Sequence, residues 1–536
     1  MTKKSLKSSQ LVKAAFIMLA VSGMLCGCNQ KAATDTQSGQ GAIALKDSYS
    51  ESELLDVTTA FWNIEADLNE AAELKDPAQK IMQTKTGVRI VAQNITWEDD
   101  AAKIKLWAAS DSLPDMFAGD FVGKPFFYDW IDQGIIRALP DDLSAYPHLQ
   151  KYLASVDADA TRQNGKLYII PRKIQIDTQH GVLHTNICYR WDLAQKAGVT
   201  KEPETWDEFR DMIKKIIAAD PEGKKIAGMT TQLTRVLSRH LMTYGCPAEN
   251  KWVKKDGKWV PGYFAGDIEA SFQLARDMYQ EGTIEKDIAL AKQNIAVQKF
   301  LKGESAAMSF ALGGPSGLYQ NIGKDYDKLY PGRTFTDDIR MLKLMPAKDG
   351  NRYYYLSNDA WSETYFSSHV DDAKMARILK LFDYVLSPEG QILVNWGIEG
   401  TDWKKENGGM TVLHAPGEEV KRPYAGIFQN FVQWADASTV KPPSTLPAGY
   451  NMMQEQTYED ARDHGVIPAF DDRVLYLSTP LKNTFVWDSN EDMLSIMIGT
   501  DPVKKMTEEL LAKYESKGLS AMIDEVNAKA KEKGIE

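Results

Sequence analysis

The chain has 536 residues, 43% of them hydrophobic and 26% charged, which is enough apolar material for two large domains with separate cores. Its formal net charge is −11 and it has no long basic run. That excludes nucleic acid as a partner, because a phosphate backbone demands a concentrated basic surface.

Lys3, Lys4, Lys7 and Lys13 precede an apolar run at 14–25 that leads into Leu25-Cys26-Gly27-Cys28. A bilayer span needs about 20 apolar residues, so this shorter run behind a basic leader predicts a secretory signal over 1–27 and a mature chain outside the cytoplasm. Leu25, with small Gly27 just before the cysteine, resembles the lipobox cut by lipoprotein signal peptidase. The resemblance implies that Cys28 becomes the first residue and carries lipid, anchoring the chain to the outer face of the cell membrane. The alternative is an ordinary secretory signal with chance cysteines, and fatty-acid labelling separates the two. Removal of 1–27 takes away four lysines and no acid, moving the net charge from −11 to −15. Residues 28–52 carry almost no large apolar side chain and predict a flexible tether.

The run 57–62 (VTTAFW) predicts a buried strand, followed by a helical stretch broken near Pro77 and stopped by Gly87, then a strand over 88–91. A helix at 99–109 counts Ile104 and Leu106 among its apolar positions, and 113–117 leads into a third strand. This alternation predicts a partly parallel sheet. His180 and His184 are four apart, but 175–189 is rich in strand formers. On a strand their rings stand about 13 Å apart, too far to share one ion, so both are expected to be structural and no metal is expected.

Thr205 and Glu208 have capping-box spacing ahead of Phe209, Met212, Ile213, Ile216 and Ile217. Apolar stripes recur at 267–281, closed by Gly282, and at 375–386, running to Ser387-Pro388; all three predict core-facing helices. The Pro-rich stretch 441–447 predicts a surface excursion, Asp501-Pro502 a helix start and Gly518 its end. Cys188 and Cys246 either pair or remain two buried thiols.

No Walker loop, HExxH or Gly-x-Gly-x-x-Gly occurs, so no cofactor is expected and ATP is handled by another chain. The run 314–317 (GPSG) is one residue short of a nucleophile elbow and predicts a turn.

Several ordered blocks carry a resemblance: 110–117 (SDSLPDMF), 134–139 (GIIRAL), 164–171 (NGKLYIIP), 189–193 (YRWDL), 203–209 (PETWDEF), 300–308 (FLKGESAAM), 387–390 (SPEG) and 397–403 (GIEGTDW). Together they resemble the extracellular solute-binding proteins, family 1, in the large lipoprotein branch of carbohydrate ABC importers related to alginate-oligosaccharide binders. The resemblance implies an α/β, two-lobe periplasmic-binding-protein-like fold of type II, each lobe a mixed, mainly parallel sheet flanked by helices, with a multi-strand hinge. The implied lobes are 53–172 with 356–402, and 173–355 with 403–536. It also implies an oligosaccharide held between the lobes by a monomer, which delivers it to membrane permease subunits served by a separate ATPase. Some alginate-binding relatives carry a calcium loop, but 220–225 (DPEGKK) lacks alternating oxygen ligands, so no structural calcium is expected.

A sugar ring offers C–H faces and a hydroxyl edge, so its site calls for flat aromatics beside planar polar groups, and the 13 Trp suit that need. Expected ligand-binding residues are Trp62 and Asn63 at the first strand end, Trp97 near the second, Asp120 and Phe121 after the third, Arg172 by the hinge, and Arg190 with Trp191. Asp359 with Trp361, and Trp396, Glu399 and Trp403, complete the set. Trp62 and Trp361 lead it, because open α/β sheets bind ligands at strand ends. Paired acids such as Asp141-Asp142, Asp337-Asp338 and Asp471-Asp472 suggest a glycosidase, whose carboxyls stand about 5–9 Å apart, although adjacent acids in loops more often cap helices. A polysaccharide-degrading enzyme and a ligand sensor for a membrane receptor therefore remain the alternatives.

Overall fold

The computed structural model describes residues 45–96, 99–156, 158–173, 179–183, 185–311, 317–356, 360–406, 409–414, 422–432 and 446–535. The leader, Cys28, Trp97, His184, Asp359 and 312–316 lie outside the described residues. In chain order the strands are β1 (Leu55–Ala60), β2 (Val88–Ala92), β3 (Met116–Gly119), β4 (Ile169–Lys173), β5 (Asn186–Arg190), β6 (Ala227–Thr231), β7 (Trp252–Lys255), β8 (Lys258–Pro261), β9 (Ser305–Phe310), β10 (Ile339–Met341), β11 (Ala360–Phe366), β12 (Trp403–Glu406) and β13 (Gly409–Val412).

Two sheets organise the body, one in the order β2-β1-β3-β11-β4 and one in the order β10-β5-β9-β6, with β7-β8 and β12-β13 as hairpins. β1 is parallel to β2 and β3, and β6 to β9. In these pairs helices return the chain within one sheet. β11 runs antiparallel to β3 and β4, and β5 antiparallel to β9 and β10. Direction reverses where the chain arrives from the other sheet, so β11 alone opposes the other four strands of the first sheet and β5 alone the other three of the second, the mixed, mainly parallel arrangement expected.

Each sheet has its own core. Val57, Phe61, Phe117, Ile170, Tyr365 and Phe382 pack around the first. Tyr189, Phe209, Met229, Trp252 and Phe272 pack on one face of the second, while Met308, Phe310, Phe335 and Tyr450 close its other face. Fully burying one such Phe stabilises by about 1.5–3 kcal/mol. The first core also takes in Tyr424, Phe428, Phe431 and Val432, beyond the boundary drawn after residue 402. Phe61 stacks on Phe431 at 4.0 Å and 5°. The chain passes between the sheets after β4, between β10 and β11, and between Val432 and the helix Ala448–His464. Val182, Leu344, Tyr354, Leu356 and Ala461 cluster where these passages meet.

Local expectations hold with adjustments. Thr205 caps the helix Trp206–Ala219 by accepting from Glu208 N, but Glu208 reaches back to Glu204 N at 2.7 Å instead of completing the box on Thr205. In the helix Asp100–Ala109, Ile104 is buried while Leu106 is 64% exposed. Part of the stretch counted as tether packs on the body: Tyr49 is buried, donates its N–H to Thr84 O at 2.8 Å and lies under the Arg377 guanidinium at 3.6 Å. One aromatic in a polar run leaves no periodicity, which is why the sequence hid this strap. Cys188 and Cys246 are separate buried thiols, so the pairing alternative falls. Among the described residues no helix is long and apolar enough to cross a membrane.

Candidate functional site

β1, β3 and β4 run one way and β11 against them, so three carboxyl ends and one amino end share an edge of the first sheet. Open α/β sheets gather ligand-binding groups on such an edge, where strands give way to loops. Past Ala60 the pairing continues as a bridge between Trp62 and Ile95, and Asn63, exposed and with φ +61°, turns the chain into the helix Ile64–Leu74. The Trp62 indole Nε1 donates to Asp100 Oδ2 at 2.8 Å, in the first turn of the helix Asp100–Ala109. β11 opens with a bulge: its register on β4 shifts between Ala360 and Glu363, and Ser362 has φ +64°. A bulge re-aims the neighbouring side chain. Here the Trp361 ring stands 5.2 Å from Trp62 at 21°.

Arg172, on β4, completes the group. Its guanidinium is 4.6 Å from the Trp361 ring and 5.9 Å from the Trp62 ring, and its Nε donates to Trp361 O at 3.2 Å. If Arg172 and Trp62 lay on opposite faces of Trp361, their separation would approach the other two distances combined. They therefore lie toward the same side of it. Trp62 and Arg172 are buried and Trp361 is half-buried. Burial draws Arg172 down to about 10, opposed by Tyr152 and Glu363, so it remains charged at neutral pH.

Next on β11, Glu363 Oε2 accepts from Tyr365 OH at 2.6 Å and from Phe121 N at 3.2 Å. Burial, and then nearby Asp120, hold this carboxyl up to about 8, against an ordinary 4.5. The folded state thus keeps a proton that the unfolded chain loses. The stability linked to Glu363 is full below about pH 4.5 and is lost as pH rises to about 8. Glu363→Gln is expected to flatten the fall of unfolding free energy across that window in urea titrations, and an unchanged slope would contradict the assignment.

In the second sheet β6 and β9 are parallel and β5 opposes them, so Gln232, Ala311 and Asn186 mark the corresponding edge. Gln232 Oε1 accepts from Ala311 N at 2.9 Å. The helix Thr234–Met242 starts there and carries Arg235 and Arg239. The Arg239 guanidinium lies 4.6 Å from the Tyr355 ring, and Asn250 Nδ2 donates to Leu356 O at 2.6 Å. Tyr355 stands on the passage toward β11. Burial raises its hydroxyl, and the charges acting on it are Arg239, Glu249, Asp120 and Arg235. Asp120 of the first sheet and two arginines of the second thus share one electrostatic neighbourhood.

Other expected site residues lie elsewhere. Phe121 is buried in the first core, edge-on to Trp130 at 5.6 Å. Arg190 ends β5 and Trp191 follows it, and β5 runs against β9, so they sit at the opposite edge, about 13 Å of strand from Asn186. Arg190 is fully buried in a two-bond pair with Asp192, and Trp191 packs in the second core. Trp396 and Trp403 are buried edge-to-face at 6.2 Å, and the Trp403 indole donates to Gly397 O at 3.2 Å. They flank Asp402, which accepts from Ile398 N at 2.7 Å and from Arg422 at 2.8 Å. Glu399 is exposed, 3.7 Å from Lys405. Trp62, Asn63, Asp120, Arg172 and Trp361 remain at the first edge. Glu363, Tyr355 and Arg239 were not expected from the sequence. Cavities of about 480 and 540 Å3 lie on the second body, lined in one case by Arg340 and Met453 and in the other by Trp206 and Lys348. Neither contains an expected site residue, and the strand edges carry the stronger geometry.

Among the described residues no group of three or more His, Cys, Asp or Glu is placed to hold a metal. In the loop after the helix Trp206–Ala219, Asp220 accepts from Lys224 N and Lys225 N at 3.0 and 3.1 Å, and Glu222 pairs with Lys196 and Lys224 at 2.5 and 2.8 Å. Burial opposes this, yet the two lysines draw Glu222 down to about 2. Backbone amides occupy Asp220 and lysines occupy Glu222, so chelator is expected to leave the melting temperature unchanged. A drop restored by calcium would contradict this.

Residues 65–392, more than half of the chain, match the bacterial extracellular solute-binding protein family. Lipoprotein LipO of Bacillus subtilis (strain 168) is 23% identical over 378 residues, 66% of this chain and 69% of its own. The polygalacturonan/rhamnogalacturonan-binding protein YtcQ of the same organism is 22% identical over 401 residues, 73% of each chain. Among solved structures, the calcium-free alginate-binding protein AlgQ2 matches with TM-score 0.63 at 17% identity, covering 89% of this chain and 98% of that one. The S. pneumoniae ABC-transporter substrate-binding protein FusA, an EF-hand mutant in complex with fructo-nystose, gives TM-score 0.65 at 16% identity, covering 90% and 99%. These likenesses establish the two-lobe, periplasmic-binding-protein-like fold. With its two mixed sheets and the match over 65–392, the chain belongs to the bacterial extracellular solute-binding protein family.

Proposed function

We propose that this chain is the solute-capturing lipoprotein of an ABC importer, and that it binds an oligosaccharide between two lobes without cleaving it. The observation that carries this reading is the group of Trp62, Trp361 and Arg172 at the strand edge of the first sheet. Stacked indoles offer a sugar its C–H face contact, while Arg172, Asp120 and Asn63 offer hydrogen bonds to hydroxyls. The names of YtcQ and AlgQ2 and the fructo-nystose on FusA support a glycan as the solute.

Lobe 1 would comprise 53–172 and 356–402, extended through 432 by the packing of Tyr424 to Val432, and lobe 2 the rest of the body. A ligand touching both lobes binds the closed form better and shifts the population toward it. Permease subunits with their own ATPase then read the closed monomer, held outside the cytoplasm by lipid on Cys28.

A thermal-shift screen against an oligosaccharide library tests this. Ligand at a hundredfold its Kd adds about 2.7 kcal/mol of stability, so at least one glycan raises the melting temperature and none yields new reducing ends. No shift with any oligosaccharide, or reducing ends from an intact one, would overturn it.

A further inference from the structure

Arginines on this body are mostly committed. Arg190 pairs with Asp192, Arg210 with Asp207 and Glu281, Arg333 with Asp192 and Asp338, and Arg276 caps Ile496 O. Arg235 and Arg239 differ. They lie four residues apart on one face of the helix Thr234–Met242, and neither makes an ion pair or hydrogen bond among the described residues. Arg239 is half-buried against the Tyr355 ring and Arg235 is exposed. Side chains at this spacing stand about 5–6 Å apart at Cβ. Two guanidinium forks so placed match the planar geometry of carboxylates better than that of hydroxyls.

From these residues we infer that the captured solute carries carboxylates, as a uronic-acid oligosaccharide, and that Arg235 and Arg239 recognise them. The inference rests on the oligosaccharide reading above and narrows it. The acids facing the pair are few. The helix itself carries none, and those nearby are Asp120, Glu249 and, on β11, Glu363. Asp120 forms no ion pair with either arginine. Burial holds Glu249 at about 7 and Glu363 at about 8, so at neutral pH Glu363 is mostly protonated and Glu249 only partly charged. Counting Arg172, three guanidiniums thus outnumber the charge on the nearby acids. That surplus is large enough to neutralise an anionic ligand.

The test is calorimetric titration of the purified mature chain with galacturonate and mannuronate trimers, with their carboxyl-reduced twins, and with neutral fructo- and malto-oligosaccharides. At least one uronate trimer is expected to bind about ten- to a hundredfold tighter than its reduced twin, the gap shrinking as salt rises. Arg239→Gln and Arg235→Gln should each remove most of the gap, and exposed Arg235 makes its variant the safer one to fold. Equal binding of reduced twins, binding of neutral glycans alone, or a gap that survives both substitutions overturns the inference and leaves the oligosaccharide reading standing. If no glycan binds, that reading falls and takes the inference with it.

Discussion

Replacing Asp192 with alanine is expected to destabilise the second lobe by about 3–5 kcal/mol while leaving solute binding unchanged. Arg190 is fully buried, and Asp192 accepts from both its Nε and Nη2 at 2.8 Å. The rest of its surroundings, the Tyr326 and Tyr330 rings at 5.6 and 5.7 Å and Phe300 O at 3.3 Å, carries no formal charge. Removing the carboxylate strands a guanidinium in a low-dielectric interior, a larger effect than losing an exposed pair. Arg333 also loses a 2.6 Å partner but keeps Asp338 at 2.7 Å. The pair sits at the edge of the second sheet opposite Gln232 and Asn186, so affinity should not follow stability. Urea unfolding monitored alongside oligosaccharide titration checks both halves. A loss under about 1 kcal/mol would contradict the burial argument.

Trp361→Ala is expected to weaken oligosaccharide binding by at least about thirtyfold, the scale of an aromatic anchor carrying about 2 kcal/mol or more. Trp361 is the half-buried member of the stack, so its truncation removes a platform without opening the core as loss of Trp62 would. Trp361→Phe retains a flat face and should fall between wild type and alanine. Loss of the Arg172 contact at 4.6 Å adds to the effect, because the guanidinium loses the nearer of the two indoles. Titration calorimetry with the best glycan from the screen decides the matter, and unchanged affinity in the alanine variant would refute the site.

Features with local causes were readable in the sequence. VTTAFW announced β1 and placed Trp62 at its end, Thr205 announced a helix cap, and the ordered blocks announced the fold. Features that depend on strand direction were not. Arg190 and Trp191 stand at a strand's carboxyl end much as Trp62 does, but β5 runs against its neighbour and delivers them to the far edge. Glu363 looked like an ordinary polar residue in AWSETYF until the sheet buried it beside Tyr365 and Asp120. Tyr355 gained meaning only when the passage between sheets brought charges of both bodies around it. Arg235 and Arg239 had a visible helical spacing, but the lack of acid partners is a tertiary fact. Trp396 and Trp403 show the limit of composition, since buried Asp402 draws their segment into a packed knot.

Small-angle scattering of the mature chain, with and without saturating oligosaccharide, tests capture between the lobes most directly. The account predicts a smaller radius of gyration with the bound glycan and an intact glycan recovered afterwards. Identical profiles under a glycan proven to bind by calorimetry, or glycan fragments in solution, would contradict it.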